Sequence, residues 1–202
     1  MEQRFAYVLR TLQRLLLSAS EDLKIPIRFA LIGGLAVSAW GVVRATEDID
    51  FLADSNPSPL RNPALRDAIR GFLETRGCTV EWRAGEPDDP IPLLLRVEMP
   101  QAAPGLAVDV LWAHKRWQRE ALMRALAVSV SRMKVFILHP EDLVIMKLEA
   151  GGPQDLLDVE VLLSNPPAEL DVRRLKKKAA QLRLGAGLER CLQEARGKLR
   201  RR

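Results

Sequence analysis

An α+β fold, with a mixed β-sheet, helices packed on it and a helical segment at the C-terminal end, is what this sequence predicts. Three patterns point there. Apolar runs of strand length recur through the first two thirds of the chain, separated by Gly- and Pro-rich breaks. Segments with apolar residues every three or four positions alternate with them. After residue 139 only helical spacing remains, which divides the chain into an α/β core over 1–139, N-terminal helix included, and a helical region over 140–202.

Taken in order, residues 2–24 carry Phe5, Val8, Leu9, Leu12, Leu15, Leu16 and Ala19 at helical spacing, and Pro26 ends that helix. Residues 27–32 are almost continuously apolar, the pattern of a central buried strand. Gly33 and Gly34 turn the chain into a short apolar helix over 35–43, whose small residues Ala36, Ser38 and Ala39 allow close approach. Residues 47–53 form a second strand, with Ile49, Phe51 and Ala53 toward the core and Asp48, Asp50 and Leu52 on the other face. A Pro-rich loop leads to a helix over 64–76, which Gly77 stops. Strands follow over 79–83, 93–99 and 106–112, with an acidic Pro-rich loop over 85–92 and a turn over 100–105. Residues 114–127 are read as a helix or an irregular cationic stretch, and 128–138 as one further strand. His139-Pro140-Glu141-Asp142 opens a helix that ends at Gly151-Gly152, and Pro153 opens the next. Two more helices, over 168–183 and 187–200, complete the chain.

The bulk properties exclude several classes. The 202 residues are 48% hydrophobic and 28% charged, ordinary globular material. A chain of this size buries roughly 70% of its unfolded surface and needs no staple. No apolar run approaches the ~20 residues of a bilayer span, so no membrane is expected. Glu21, Asp22 and Lys24 follow the Leu-rich patch at Leu15 to Leu17, which argues against a signal peptide. Cys78 and Cys191 lie far apart and share no metal-ligand spacing. A reduced, cytoplasmic protein is the reading.

The chemistry concentrates in the acids. Asp48 and Asp50, two apart on a strand, project together, and such a pair is commonly neutralised by a divalent cation. Asp109 interrupts the apolar strand Leu106-Ala-Val-Asp-Val-Leu-Trp112. It either faces water from an edge strand or completes the site begun by Asp48 and Asp50, because an unpaired carboxylate in an apolar strand is costly. Lys147 stands between Met146 and Leu148 on its helix, and Asp155 and Asp158 share a face of the next. Each feature has a plainer account: a tight turn at Gly33-Gly34, a solvated strand end, a snorkelling lysine, a first-turn acid. Net charge is +5, and the stretch from Arg173 to the C-terminus is strongly basic, with Glu189 and Glu194 its only acids. That tail suits a phosphate backbone, or is simply a solvated helical face.

Together these residues resemble the polymerase-beta-like nucleotidyltransferase superfamily, and within it the group of AbiEii-type abortive-infection toxins. Gly33-Gly34, Arg44, Thr46, Asp48 and Asp50 match its glycine turn, Arg-x-Thr and Asp-x-Asp signature. Asp109 sits where its third acid falls, Lys147 matches its helical lysine, and Asp155 and Asp158 match the acid-bearing helix after it. The resemblance implies a nucleotidyltransferase-like mixed sheet and transfer of an NMP from an NTP to a hydroxyl acceptor. Asp48, Asp50 and Asp109 would hold two Mg2+ ions, with Mn2+ an alternative, and Asp109 is a candidate general base. Gly33, Gly34, Arg44, Thr46, Lys147, Asp155 and Asp158 would bind the nucleotide. It also implies a toxin role with a cognate antitoxin protein, and the basic tail makes RNA such as tRNA the preferred acceptor over protein. Gly34 stands where many members have Ser, and no basic residue lies between Lys147 and Asp155. A catalytically silent RNA- or protein-binding module on the same fold, antitoxin-like, is the alternative. A nucleotide-sugar glycosyltransferase ranks last, because only ~50 residues precede its Asp-x-Asp.

Overall fold

The computed structural model describes residues 2–41, 48–85, 91–101, 103–130 and 133–200. The elements run α1 (Glu2–Asp22), β1 (Ile27–Ile32), α2 (Gly33–Ala39), β2 (Ile49–Ser55), α3 (Pro63–Glu74), β3 (Thr79–Ala84), β4 (Leu93–Glu98) and β5 (Ala107–Trp112). They continue α4 (Arg116–Met123), β6 (Leu126–Val130), β7 (Met133–Ile137), α5 (Pro140–Ala150), α6 (Pro153–Ser164), α7 (Val172–Gln181) and α8 (Gly185–Arg200). All seven strands join one mixed sheet in the order β3-β4-β5-β2-β1-β7-β6. The pairs β2–β5 and β1–β7 are parallel and the remaining four antiparallel. The expected mixed sheet with packed helices and a helical C-terminal segment is the architecture observed.

Burial follows the apolar patterns. In α1, Val8, Leu9, Leu12, Leu16 and Ala19 are fully buried, one stripe of the helix. The central strand β1 is buried at every position except Arg28. Toward the β3 edge the sheet becomes two-faced. Val108, Val110 and Trp112 of β5 and Leu93, Leu95 and Val97 of β4 are buried, while Asp109 and Arg96 alternate with them on a half-exposed face. That open face is where the polar chemistry can reach solvent. α1 and α3 pack on each other and on β1 and β3, whereas α2 packs on β1 and β2 and against α5 and α6.

Three local readings are corrected, and one that was left open is settled. Gly33 and Gly34 are the first residues of α2, not a turn ahead of it, and the helix ends at Ala39. Residues 128–138 are not one strand: β6 and β7 form an antiparallel hairpin with Val130 opposite Met133. No Asn-Gly or Asp-Gly pair stands between Val128 and Leu138, so the sequence reads as one strand there. The cationic stretch after Trp112 resolves as α4. Finally, α7 begins at Val172 instead of 168, because the Asp171 side chain accepts from the backbone N–H groups of Arg173 and Arg174 and caps the helix there.

Candidate active site

The register of the sheet assembles the acids. Ile32 pairs with Asp50 across β1–β2, and Asp50 pairs with Asp109 across the parallel β2–β5 ladder. Asp109 in turn lies opposite Arg96, and Arg96 opposite Glu81. One row across four strands therefore reads Glu81, Arg96, Asp109, Asp50. Neighbouring strands lie ~4.8 Å apart, and two like charges at that spacing repel by about 3 kcal/mol at an effective dielectric of ~20. Asp109 has an answer to this within the chain: Arg96 Nη1 donates to both of its carboxylate oxygens, at 3.3 and 3.2 Å. Burial nevertheless pushes the Asp109 carboxyl above its ordinary pKa. Arg96 and Arg83 pull against that push, while Asp48 and Glu98 add to it.

Gly33 is shaped by the same register. A Cβ there would lie 2.0 Å from Asp50 Oδ2, and its φ of +65° is left-handed. Only glycine fits both demands. Gly34 is buried within α2, where its carbonyl accepts from Ser38 Oγ at 3.1 Å. Asp48 lies at the exposed entrance to β2. Arg44 and Thr46 fall outside the described residues.

Lys147 is brought in from the helical side. Gly151 caps α5 with a φ of 67° and Pro153 begins α6, so the chain doubles back at once. Asp155 in the first turn of α6 thereby meets Lys147 in the last turn of α5. Lys147 Nζ lies 2.6 Å from Asp155 Oδ1 and 2.9 Å from Asp158 Oδ2, with the lysine side chain 11% and that of Asp158 4% exposed. The resemblance assigns these two acids to the nucleotide; in the structure both pair with Lys147 and clamp it.

A cavity of about 300 Å³ joins the two halves, with Gly33, Asp50 and Asp109 on the sheet side and Lys147, Glu149 and Asp155 on the helical side. Leu52, read as part of the acidic face, is 1% exposed and lines it. Sequence reasoning missed three contributors. Arg96 carries no motif, and only the register identifies it. His114 lines the cavity, and burial together with Lys115 lowers its pKa. Gln118 lines it too, its Oε1 accepting from the backbone N–H groups of His114 and Lys115 at 2.9 and 3.0 Å.

Carboxylates in register on adjacent strands suit a hard divalent cation in type, and the cavity gives the ion and a polyanionic ligand access to them. Among the described residues no group of three His, Cys, Asp or Glu is drawn together closely enough to hold an ion. Asp50 and Asp109 match Mg2+ in ligand type alone, with Arg96 standing at Asp109 as the internal cation. Among the described residues, too, no helix is long and apolar enough to cross a membrane.

Among solved structures, an antigenic nucleotidyltransferase-like protein from Paracoccidioides brasiliensis is similar over 92% of this chain and 92% of its own, at 17% identity and a TM-score of 0.46. The lincosamide antibiotic adenylyltransferase LnuA, bound to lincomycin, matches over 80% and 96% at 14% identity and a TM-score of 0.44. Terminal uridylyl transferase 4 from Trypanosoma brucei, with bound GTP, matches over 80% and 53% at 15% identity and a TM-score of 0.35. These are likenesses of overall shape alone. No curated protein is significantly similar in sequence. Residues 14–200, however, match one family model almost from end to end, and the chain belongs to that family, the nucleotidyl transferase AbiEii toxins of type IV toxin–antitoxin systems.

Proposed function

We propose that this nucleotidyltransferase moves an NMP from an NTP to a hydroxyl acceptor in a Mg2+-dependent reaction, with RNA such as tRNA as the acceptor, and that it acts as the toxin of a toxin–antitoxin pair. One observation carries the reading: Asp50 and Asp109 stand side by side on parallel strands and face, across a single cavity, the clamped Lys147. Asp48, Asp50 and Asp109 would hold the metal, which supplies charge neutralisation around the triphosphate and a more acidic acceptor hydroxyl. Gly33 keeps the approach to Asp50 open, since any side chain there would occupy the space beside its carboxylate. Lys147, a compact cation on a rigid helix, meets phosphate charge from the opposite wall. Asp155 and Asp158 hold its ammonium in place. Arg96 guards the Asp109 carboxylate until a divalent cation competes for it.

The test is incubation of the protein with each labelled NTP, Mg2+, bulk tRNA and cell protein. Label on RNA that disappears with Asp50→Asn and with Asp109→Asn supports the proposal. Transfer undiminished by both substitutions, or none with any NTP, would sink it; salt-sensitive RNA binding without NTP binding would favour the silent module instead.

A further inference from the structure

A second cleft, of about 200 Å³, lies between α4 and α7. Arg124 follows α4, while Arg174, Lys177 and Lys178 come from α7. Beneath them sits Asp142, 2% exposed. Arg124 Nη2 donates to both Asp142 oxygens at 2.9 Å, and Lys178 Nζ pairs with the same carboxylate. Glu120, the acid on the rim, is engaged by Arg116 at 2.8 Å. Arg174 and Lys177 have no ion-pair partner among the described residues. The cleft thus gathers four cations, two of them on one buried carboxylate.

Its walls also hold donors without acceptors. Trp117 Nε1, on a side chain 7% exposed, and Arg124 Nε are buried with no hydrogen-bond partner. An unpaired buried N–H is destabilising unless something else fills its need. Lys178 Nζ lies 5.0 Å above the Trp117 ring centroid, which fixes ring and ammonium together. Converging cations call for a compact anion with several acceptor oxygens, and a phosphate is such a group.

The two cavities share α4. Gln118 of α4 lines the catalytic cavity, while its neighbours Trp117 and Glu120 line the basic cleft. Asp142 and Lys147 stand five residues apart on α5, a rise of ~7.5 Å. Both cavities thus border α4, and a polyanionic chain is long enough to touch both, which a free phosphate is not. We infer that the α4–α7 cleft holds a backbone phosphate of the polynucleotide acceptor and thereby presents its reacting end to the catalytic cavity. This rests on the RNA-acceptor reading above and deepens it.

The experiment uses the full-length protein with fluorescent single-stranded RNA and with bulk tRNA, followed by anisotropy across a salt series. An Arg174→Glu/Lys177→Glu variant is compared with Arg173→Glu/Arg190→Glu, which makes the same charge change on exposed tail residues outside the cleft. The cleft variant is expected to lose roughly tenfold or more in RNA affinity and to flatten the log–log salt slope by about 1.4, two single-strand phosphate contacts' worth. The tail variant should lose less than about threefold, and NTP binding by calorimetry should be unchanged in both. Equal losses in the two variants, or none in the cleft variant, overturn the inference. So does a cleft that binds tripolyphosphate while RNA affinity ignores its substitutions, or one whose loss affects only binding of an acidic protein. Should the reversed charges prevent folding, Arg174→Gln/Lys177→Gln is read in the same way. Wild-type protein that binds no RNA at all overturns the acceptor reading as well, which separates the two failures.

Discussion

Arg96 on β4 stands directly opposite Asp109 on β5 and donates to both of its carboxylate oxygens. The pair is mostly buried, with side chains 30% and 24% exposed, and Glu98 lies 3.7 Å from the guanidinium on its other side. A cation within the chain thus occupies the carboxylate that a divalent metal would use. The acids can therefore be held together before any ligand arrives, and loading the proposed metal would be an exchange of one cation for another.

Arg96→Met tests that exchange. Losing the guanidinium leaves Asp109 beside Asp50 with burial against it, and the metal-free protein should lose about 1–3 kcal/mol of stability. Thermal melts in EDTA would read the loss. Added Mg2+ or Mn2+ should then raise the melting temperature of the variant more than that of wild type, because the ion no longer competes with Arg96. A variant as stable as wild type and indifferent to the ions would show the pair to be incidental.

Gly33→Ala and Gly77→Ala separate steric conflict from backbone strain. Both glycines have left-handed φ, +65° and +79°, but open space surrounds Gly77. Alanine at 77 should cost only the ~1–2 kcal/mol of a left-handed non-glycine residue. At 33 the new methyl group would also overlap Asp50, so the carboxylate must move. Urea denaturation should show the larger loss at 33, and NMP transfer should fall there by at least about a hundredfold, ~2.7 kcal/mol in transition-state stabilisation. Equal behaviour of the two variants would count against a placed Asp50.

Much of this arrangement is legible in the sequence, and what is not has a physical reason. The strands bearing Asp50 and Asp109 are visible as apolar runs, and alternation says which face each acid takes. Alternation does not say which residue stands opposite, because register depends on pairing between segments far apart in the chain. Arg96 is invisible for that reason, although it is the nearest cation in the row. The Lys147 clamp is half legible: Gly151-Gly152-Pro153 announces a tight reversal, but not that Asp155 and Asp158 would both land on one ammonium. The basic tail is plain as composition, whereas its cleft requires Trp117 and Arg124 from a segment about fifty residues earlier.

The Lys147 clamp gives the third prediction, in which stability and activity move in opposite directions. Two carboxylates share one ammonium, and Lys147 and Asp155 line the cavity that would admit a triphosphate. Lys147→Met takes the shared ammonium from Asp158, 4% exposed, and from Asp155, a change that typically costs about 3–5 kcal/mol. Asp158→Asn instead leaves the shorter Lys147–Asp155 pair intact and removes one negative charge. It should cost about 1–2 kcal/mol in urea denaturation, yet lower the KM for NTP several-fold, because Lys147 has more charge to offer phosphate. The double variant should lose less stability than the two single losses combined, with a coupling of about 1–3 kcal/mol between the residues. Label transfer should be abolished by Lys147→Met and also depressed by Lys147→Arg, since a planar fork cannot place one point charge between two acids set for an ammonium. If Lys147→Arg is fully active, or if Asp158→Asn raises the KM instead of lowering it, the acids serve the substrate directly and the clamp is not their role.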